Sequence, residues 1–146
     1  MSHLLHHIDS PIEVIRQSKR VVKASGAILI RYGAIEQIRD DAEHRFFPEA
    51  FAIDEARTPT VKMVEEWLRA ASLTNIISEE VIQQTYDTGM ARLNAVKLRD
   101  TSVLNIISQE AFKKGVNDLE KYIENNPNDN WLLFDRLTIT VGYKDE

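Results

Sequence analysis

The sequence predicts an α/β or α+β domain, because segments with a helical spacing of apolar residues alternate with strand-like runs. Residues 10–26 carry the first helical pattern, and a short apolar run follows at 27–32. A long alternating segment, 131–143, ends the chain and predicts a further strand. The sequence contains no internal repeat or low-complexity tract, so nothing in it indicates a solenoid.

The first helix is predicted to begin at Pro11, which has the fixed φ that suits a first helical position. Ser10 is the candidate N-cap, and Glu13 stands three residues later, where a capping box places its acidic residue. The helical pattern ends at 24–26. The run 27–32 is almost continuously apolar, which predicts a strand covered on both faces.

The middle of the chain contains no single regular pattern of apolar residues. Residues 34–58 combine charged and aromatic side chains and predict a lid or an inserted helical cap, and Thr58-Pro59-Thr60 opens an amphipathic helix. The segment 76–86 is rich in β-branched residues and predicts a strand. Two helical stretches are predicted after it, from Met90 to Ile107 and from Gln109 to Glu124.

Length and composition limit the possible functions. The chain of 146 residues fits a single domain, 1–146. Its net charge of −5 leaves no basic surplus for nucleic acid, and its lack of cysteine excludes disulfides and thiolate zinc sites. No apolar run approaches the ~20 residues of a membrane span, and the start of the chain lacks the features of a secretory signal. We therefore expect a cytoplasmic protein that binds neither nucleic acid nor membrane.

Three of the four histidines, His3, His6 and His7, lie close to the start of the chain. Neutral imidazole is a common metal ligand, but no carboxylate or cysteine is placed to complete a tetrahedral set. We therefore expect no metal site. The alternative to a metal site is a loop followed by a capped helix.

The segment 34–58 contains acidic and aromatic side chains that have two interpretations each. The acidic residues could act as general bases or orient a substrate, but a solvated helical face is the simpler explanation. The aromatic residues could line a ligand pocket or pack the helical cap against the core. The acidic residues are Asp40, Asp41, Glu43 and Glu49, and the aromatic ones are Phe46, Phe47 and Phe51.

Six segments, taken in order, carry a resemblance to a known family: 4–9, 20–30, 47–50, 59–61, 67–73 and 131–143. They resemble class I SAM-dependent methyltransferases of the type 11 group. The stretches 4–9 and 20–30 resemble the family's passage from its fourth to its fifth strand, where Ala24 and Ser25 replace the usual proline and first glycine. Three stretches resemble the family's cap and the helix before its sixth strand, and the final stretch resembles its seventh strand. These stretches are 47–50, 59–61, 67–73 and 131–143, with Ser72 in place of a usual glycine.

The resemblance implies a partial, truncated Rossmann-like methyltransferase fold, which corresponds to the C-terminal part of the family domain. Its small mixed sheet has the order fifth, seventh, sixth strand, with the last strand antiparallel to both neighbours and helices around it. The family's Gly-rich loop and its ribose-binding acidic residue would lie upstream of Met1. We therefore expect S-adenosyl-L-methionine to be the cofactor of the complete domain, and we do not expect this chain alone to bind it tightly.

The implied function is methyl transfer to a small molecule in the complete enzyme, with no catalysis by this chain alone. The alternative is a non-catalytic binding or regulatory module that dimerises or pairs with a SAM-binding chain. Site residues follow from the resemblance. His6 and His7 are the catalytic candidates, Ser2, His3 and Leu4 the cofactor-binding candidates, and Arg31, Tyr32, Glu36, His44 and Arg45 the substrate-binding candidates.

A partner is also predicted. If the fourth strand is lost, one edge of the strand 27–32 becomes free to pair with another chain. We expect a homodimer through this edge, formed either by edge pairing or by exchange of an element.

Overall fold

The structure, a computed structural model, describes residues 1–145. This part of the chain contains seven helices and three strands, with short 3₁₀ turns at Leu5–His7, Val103–Asn105 and Trp131–Leu133. The helices are α1 (Pro11–Val21), α2 (Ile35–Ile38), α3 (Ala42–Phe46), α4 (Pro48–Arg57), α5 (Val61–Ala70), α6 (Gly89–Lys97) and α7 (Gln109–Asn125). The strands are β1 (Ala27–Tyr32), β2 (Thr74–Gln84) and β3 (Phe134–Tyr143).

The three strands form one sheet in the order β1-β3-β2. β1 pairs antiparallel with β3, in a register that runs from Ala27 opposite Tyr143 to Tyr32 opposite Thr138. The last strand in the sequence therefore lies between the other two. The fold class, the strand order and the antiparallel last strand are confirmed.

Residues 1–3 lie along the other edge of β1. Ser2 forms a parallel bridge with Arg31. The Arg31 N–H donates to the Met1 carbonyl at 2.8 Å, and the His3 N–H donates to the Arg31 carbonyl at 2.9 Å. The carboxyl-terminal part of this edge is therefore already paired within the chain.

The chain divides into two compact units. Unit 1 contains residues 1–36, 57–81 and the C-terminal residues from Leu137, and unit 2 contains residues 37–56 and 82–136. Each unit has its own apolar core.

The core of unit 1 lies between the sheet and the helices α1 and α5. Ile15 of α1 and Val64 and Leu68 of α5 are fully buried and belong to one cluster with Ile28 and Ile30 of β1. Along β1 the buried residues alternate with exposed ones. The prediction that this strand is covered on both faces is therefore wrong, because both helices contact the same face.

The opposite face of the sheet carries exposed apolar side chains. Leu29 is 49% exposed and stands opposite Val141 in the β1–β3 register. Ile77 is 55% exposed, and it lies beside Val141 because its neighbour Ser78 contacts Thr140 across the two strands at 2.9 Å. We call the surface formed by Leu29, Val141 and Ile77 the open face.

The core of unit 2 is built from helices α3, α4, α6 and α7. Its fully buried apolar side chains are Phe47, Leu93, Leu104, Leu119 and Leu132. The ring of Phe47 lies directly against Gly115 of α7, where a Cβ atom would overlap the ring and would come within 2.8 Å of the Phe46 carbonyl. Only glycine fits this position.

The helix predicted for Met90 to Ile107 is shorter than expected. It ends at Lys97, because Arg99 adopts a left-handed φ of 53°. The Arg99 N–H donates to the Val96 carbonyl and the Asp100 N–H to the Ala95 carbonyl, which is the Schellman arrangement that ends helices. The predicted final strand is also shorter, since its first three residues form a 3₁₀ turn.

The capping box predicted for α1 is wrong. The Ser10 side chain makes no capping hydrogen bond, and Glu13 pairs instead with Arg16. In the turn after α1 the left-handed residue is Ser25, with φ 57°. Gly26 is needed for space, because a Cβ atom there would lie 2.6 Å from a methyl carbon of Val22.

Candidate functional site

Three predicted site residues meet at the carboxyl end of β1. The guanidinium of Arg31 donates to the Ser2 hydroxyl at 3.3 Å and contacts the imidazole Nε2 of His3. His3 has a left-handed φ of 47°. In open α/β sheets ligands bind beyond the carboxyl ends of the strands, so this cluster lies where a ligand crevice is expected.

His6 and His7 follow in the 3₁₀ turn Leu5–His7. Leu5 is buried in the core of unit 1 and fixes the turn, while Leu4 is exposed. The two imidazole rings lie 4.0 Å apart, centroid to centroid. The turn therefore holds both rings close to the segment that pairs with β1.

Tyr32 lies on the buried face of β1, at the end of a hydrogen-bonded chain of side chains. Its hydroxyl contacts Thr140 at 3.0 Å, Thr140 contacts Ser78 at 2.9 Å, and Ser78 donates to Glu65 at 2.9 Å. Burial raises the pKa of Tyr32 to about 12. Hydrogen bonds from Ser78 and Arg69 lower the pKa of Glu65. This chain was not predicted from the sequence.

Glu36 belongs to α2, and its side chain reaches the first residue of α5. Its carboxylate accepts a hydrogen bond from the Val61 N–H at 3.3 Å, and the Thr60 hydroxyl accepts one from the Met63 N–H at 3.0 Å. Both contacts satisfy N–H groups of the first helical turn. Glu36 therefore caps α5.

His44 belongs to unit 2 and is 9% exposed. Its Nε2 lies 2.9 Å from a carboxylate oxygen of Asp54, and its Nδ1 contacts the Ile38 carbonyl. Burial lowers the pKa of His44, but these two hydrogen bonds outweigh burial and the pKa is raised. Both ring nitrogens face acceptors, an arrangement that favours the doubly protonated imidazole.

Arg45 lies beside His44 but points to an aromatic cluster of unit 2. Its guanidinium carbon is 4.8 Å from the ring centroid of Trp131, 5.0 Å from that of Tyr122 and 5.9 Å from that of Phe46. These distances are typical of cation–π contacts.

Unit 2 also contains a buried charge cluster that was not predicted. Arg92 is 1% exposed and donates to Glu43 at 2.6 Å, to Asp135 at 2.9 Å and to the Leu132 carbonyl at 3.1 Å. Burial alone would lower the pKa of Arg92, but the two carboxylates outweigh it and the pKa is raised. The signal available in the sequence was the position of Arg92 next to Leu93 and one turn before Val96, on the apolar side of α6.

Asp41 lies next to this cluster and is 9% exposed. One of its oxygens lies 3.9 Å from the Arg136 guanidinium. Burial, with smaller contributions from Glu43 and Asp135, raises the pKa of Asp41 to about 7. The prediction that the acidic residues form a solvated face is therefore wrong for Asp41 and Glu43, which are buried, whereas Asp40 is exposed.

Within residues 1–145, no group of three or more histidine, cysteine, aspartate or glutamate side chains is placed to hold a metal ion. Over the same residues, every helix is too short or too polar to cross a membrane.

Known structures share the fold of this chain. No protein-family model matches the chain, and no curated protein matches it. Solved structures of other proteins, in contrast, do match it. A proposed methyltransferase from an antibiotic biosynthesis pathway of Anabaena variabilis superimposes with a TM-score of 0.72 at 12% identity, over 95% of this chain and 64% of its own. Phosphoethanolamine N-methyltransferase 2 of Haemonchus contortus, in complex with S-adenosyl-L-methionine, gives a TM-score of 0.54 at 14% identity, over 99% of this chain and 32% of its own.

These likenesses show a fold and no more, because the identities are low. The chain has the fold of part of a methyltransferase. It spans less than two thirds of the Anabaena protein and about a third of the Haemonchus enzyme.

Proposed function

We propose that this chain contributes to SAM-dependent methyl transfer, as one part of a complete methyltransferase that acts on a small molecule. The supporting observation is the β1-β3-β2 sheet, whose fold matches a proposed methyltransferase over 95% of the chain. The Haemonchus structure contains S-adenosyl-L-methionine, which supports that cofactor for the complete domain.

The residues present fit one side of such a cofactor. Ser2 and Leu4 are exposed beside the carboxyl end of β1, and with His3 they would contact its methionine end. The glycines are isolated from one another in the sequence, so the chain has no Gly-rich loop to surround the rest. We therefore propose that the chain alone is not catalytic.

In the complete enzyme the cofactor supplies an activated methyl group. His6 or His7 would orient the attacking atom of the substrate and accept its proton, because a neutral imidazole is a suitable base near neutral pH. Holding the reactants in line supplies much of the acceleration. Of the predicted substrate contacts, Arg31, Glu36 and Arg45 reach the surface, while Tyr32 and His44 are buried.

The first test is isothermal titration of the chain with S-adenosyl-L-methionine and with S-adenosylhomocysteine. No heat at high micromolar ligand is expected. Saturable binding at one site per chain would contradict the proposal that the chain is incompetent alone. In a second test, the chain replaces its structural equivalent in the Anabaena protein. Cofactor binding by that chimera, and a lower kcat in its His6→Gln variant, are expected, whereas a folded chimera without binding would refute a role in methyl transfer.

A non-catalytic module that pairs with another chain is the second candidate, and the open face favours it. Exposed apolar surface on one side of a sheet is typical of an interaction site. Reading the coding DNA upstream of Met1 separates the two candidates. An in-frame Gly-rich strand-to-helix loop would support the enzyme, and an immediate stop codon would support the module.

We also propose that two copies pair through the edge of β1. Light scattering should then give twice the 16.8 kDa of one chain. The backbone groups of Leu29 and Arg31 form hydrogen bonds with residues 1–3 along this edge. Every second residue of a strand faces the same edge, so the backbone N–H of Ala27 also faces it. Ala27→Pro should therefore give monomers, because it removes an edge N–H, and Leu29→Ala, which changes only a side chain, should not. A monodisperse wild-type monomer would contradict the dimer.

A further inference from the structure

Three aromatic rings of unit 2 form one cluster around a single cation. Phe46 lies 5.3 Å from Tyr122 and 6.4 Å from Trp131, and Tyr122 lies 6.2 Å from Trp131, measured between ring centroids. The rings are inclined to each other by 51° to 74°. The guanidinium of Arg45 lies within 6 Å of all three centroids. We call Phe46, Tyr122 and Trp131 the aromatic triad.

Asp129 contacts two residues of the triad. One carboxylate oxygen accepts a hydrogen bond from the Tyr122 hydroxyl, and the other accepts one from the backbone N–H of Trp131 at 2.9 Å. These hydrogen bonds lower the pKa of Asp129, so its carboxylate is ionised at neutral pH. A negative charge therefore stands at the hydroxyl end of the Tyr122 ring, whose position this hydrogen bond fixes, while the second hydrogen bond fixes the backbone of Trp131.

We propose that the aromatic triad is a binding site for a small quaternary ammonium cation, and that Arg45 occupies it as an internal ligand. Ring faces attract cations through their quadrupole and require no directed hydrogen bond. This chemistry suits a cation that is surrounded by methyl groups and has no N–H to donate. The partly exposed rings and the nearby carboxylate fit a free cation of this class. The proposal does not depend on methyl transfer.

Arg45 controls access to this site. It is an exposed residue of the five-residue helix α3, so its side chain can rotate into solvent without disturbing the buried core. While Arg45 covers the rings, it lowers the apparent affinity for any other cation, in proportion to the time that the site is covered. Removing the Arg45 side chain should therefore increase the affinity.

The experiment uses the full chain labelled with ¹⁵N and titrated with tetramethylammonium chloride, with the two indole N–H signals as probes. The chain has two tryptophans. Trp131 belongs to the triad, and Trp67 lies in α5 and serves as an internal control for folding and ionic strength. The matched control for Arg45→Ala is Arg39→Ala, which removes an exposed arginine that stacks on the single ring of Phe51 at 5.6 Å.

In Arg45→Ala we expect a saturable shift of the Trp131 signal and a dissociation constant about fivefold lower than in the wild type. In Arg39→Ala the constant should equal that of the wild type. The uncharged isostere of choline, 3,3-dimethylbutan-1-ol, should bind at least about fivefold more weakly than choline. The proposal is wrong if the Arg45→Ala signal moves no more than that of Trp67, if sodium chloride has the same effect, or if the alcohol binds as well as choline.

Discussion

The substitution Asp41→Asn should stabilise the protein at high pH and leave its stability unchanged at low pH. The Asp41 carboxyl is buried and has a pKa of about 7, against an ordinary value of 3.8. The folded state therefore binds this proton more tightly than the unfolded state does. Between these two pH values, the contribution of Asp41 to the free energy of unfolding falls as the pH rises. Asparagine keeps the shape and cannot ionise.

The expected gain follows from the difference between the two pKa values. That difference is about three pH units, and each unit corresponds to about 1.4 kcal/mol. The variant should therefore gain about 4 kcal/mol above pH 7, and this gain should decrease to nearly zero towards pH 4.

Urea unfolding at about pH 4.5 and about pH 8 measures this difference. The matched control is Asp40→Asn, because Asp40 is the exposed neighbour of Asp41. Comparison of the two variants cancels the contribution of other groups that titrate in both chains. A gain that is equal at both pH values, or that is below about 1 kcal/mol at high pH, would refute the argument.

Three further substitutions test the packing. Arg92→Met should lower the free energy of unfolding by about 3 to 5 kcal/mol, because Glu43 would keep a buried charge without its partner. Adding Glu43→Gln to this variant should recover part of the loss, as measured by urea unfolding. Arg16→Met, which changes an exposed arginine, is the control. Ser72→Gly should stabilise the protein by about 0.5 kcal/mol, because Ser72 has a φ of 57°. Ala70→Gly, at the last residue of α5, should destabilise it. Thermal melts that rank the two variants the other way would contradict this. Tyr32→Phe should lower the free energy of unfolding by about 1 kcal/mol, and the control Tyr143→Phe should leave it almost unchanged. Equal values for the two variants would show that the hydrogen-bonded chain of Tyr32 does not stabilise the protein.

Local signals account for the elements that the sequence predicted well. Pro11 and Thr60 mark helix starts, and the apolar run 27–32 marks β1, because these signals act within one turn or strand. The end of α6 was missed because a Schellman motif normally has glycine where this chain has Arg99. Tertiary contacts, which neighbouring residues do not reveal, decide such positions.

The candidate site was predictable only in part. The resemblance names Ser2, His3 and Arg31 as separate candidates, and only the structure shows that they are in contact. The burial of Tyr32 was overlooked. Counting by twos from Ile28 would have placed Tyr32 on the buried face of β1. The position of Arg92 on the apolar side of α6 could indicate that Arg92 is buried. It could not reveal the cluster, because Glu43 and Asp135 are far from Arg92 in the sequence.

Gly115 shows how a helix can be fitted to its neighbour at the expense of its own preference. In an isolated peptide, Gly115→Ala would be the most helix-favouring change available in α7. In the folded protein the new methyl group would overlap the Phe47 ring and force it out of the core. An effort to strengthen α7 by intrinsic propensity would therefore weaken unit 2. Gly115 leaves the space that the Phe47 ring fills, so a larger residue at position 115 would require a smaller one at position 47.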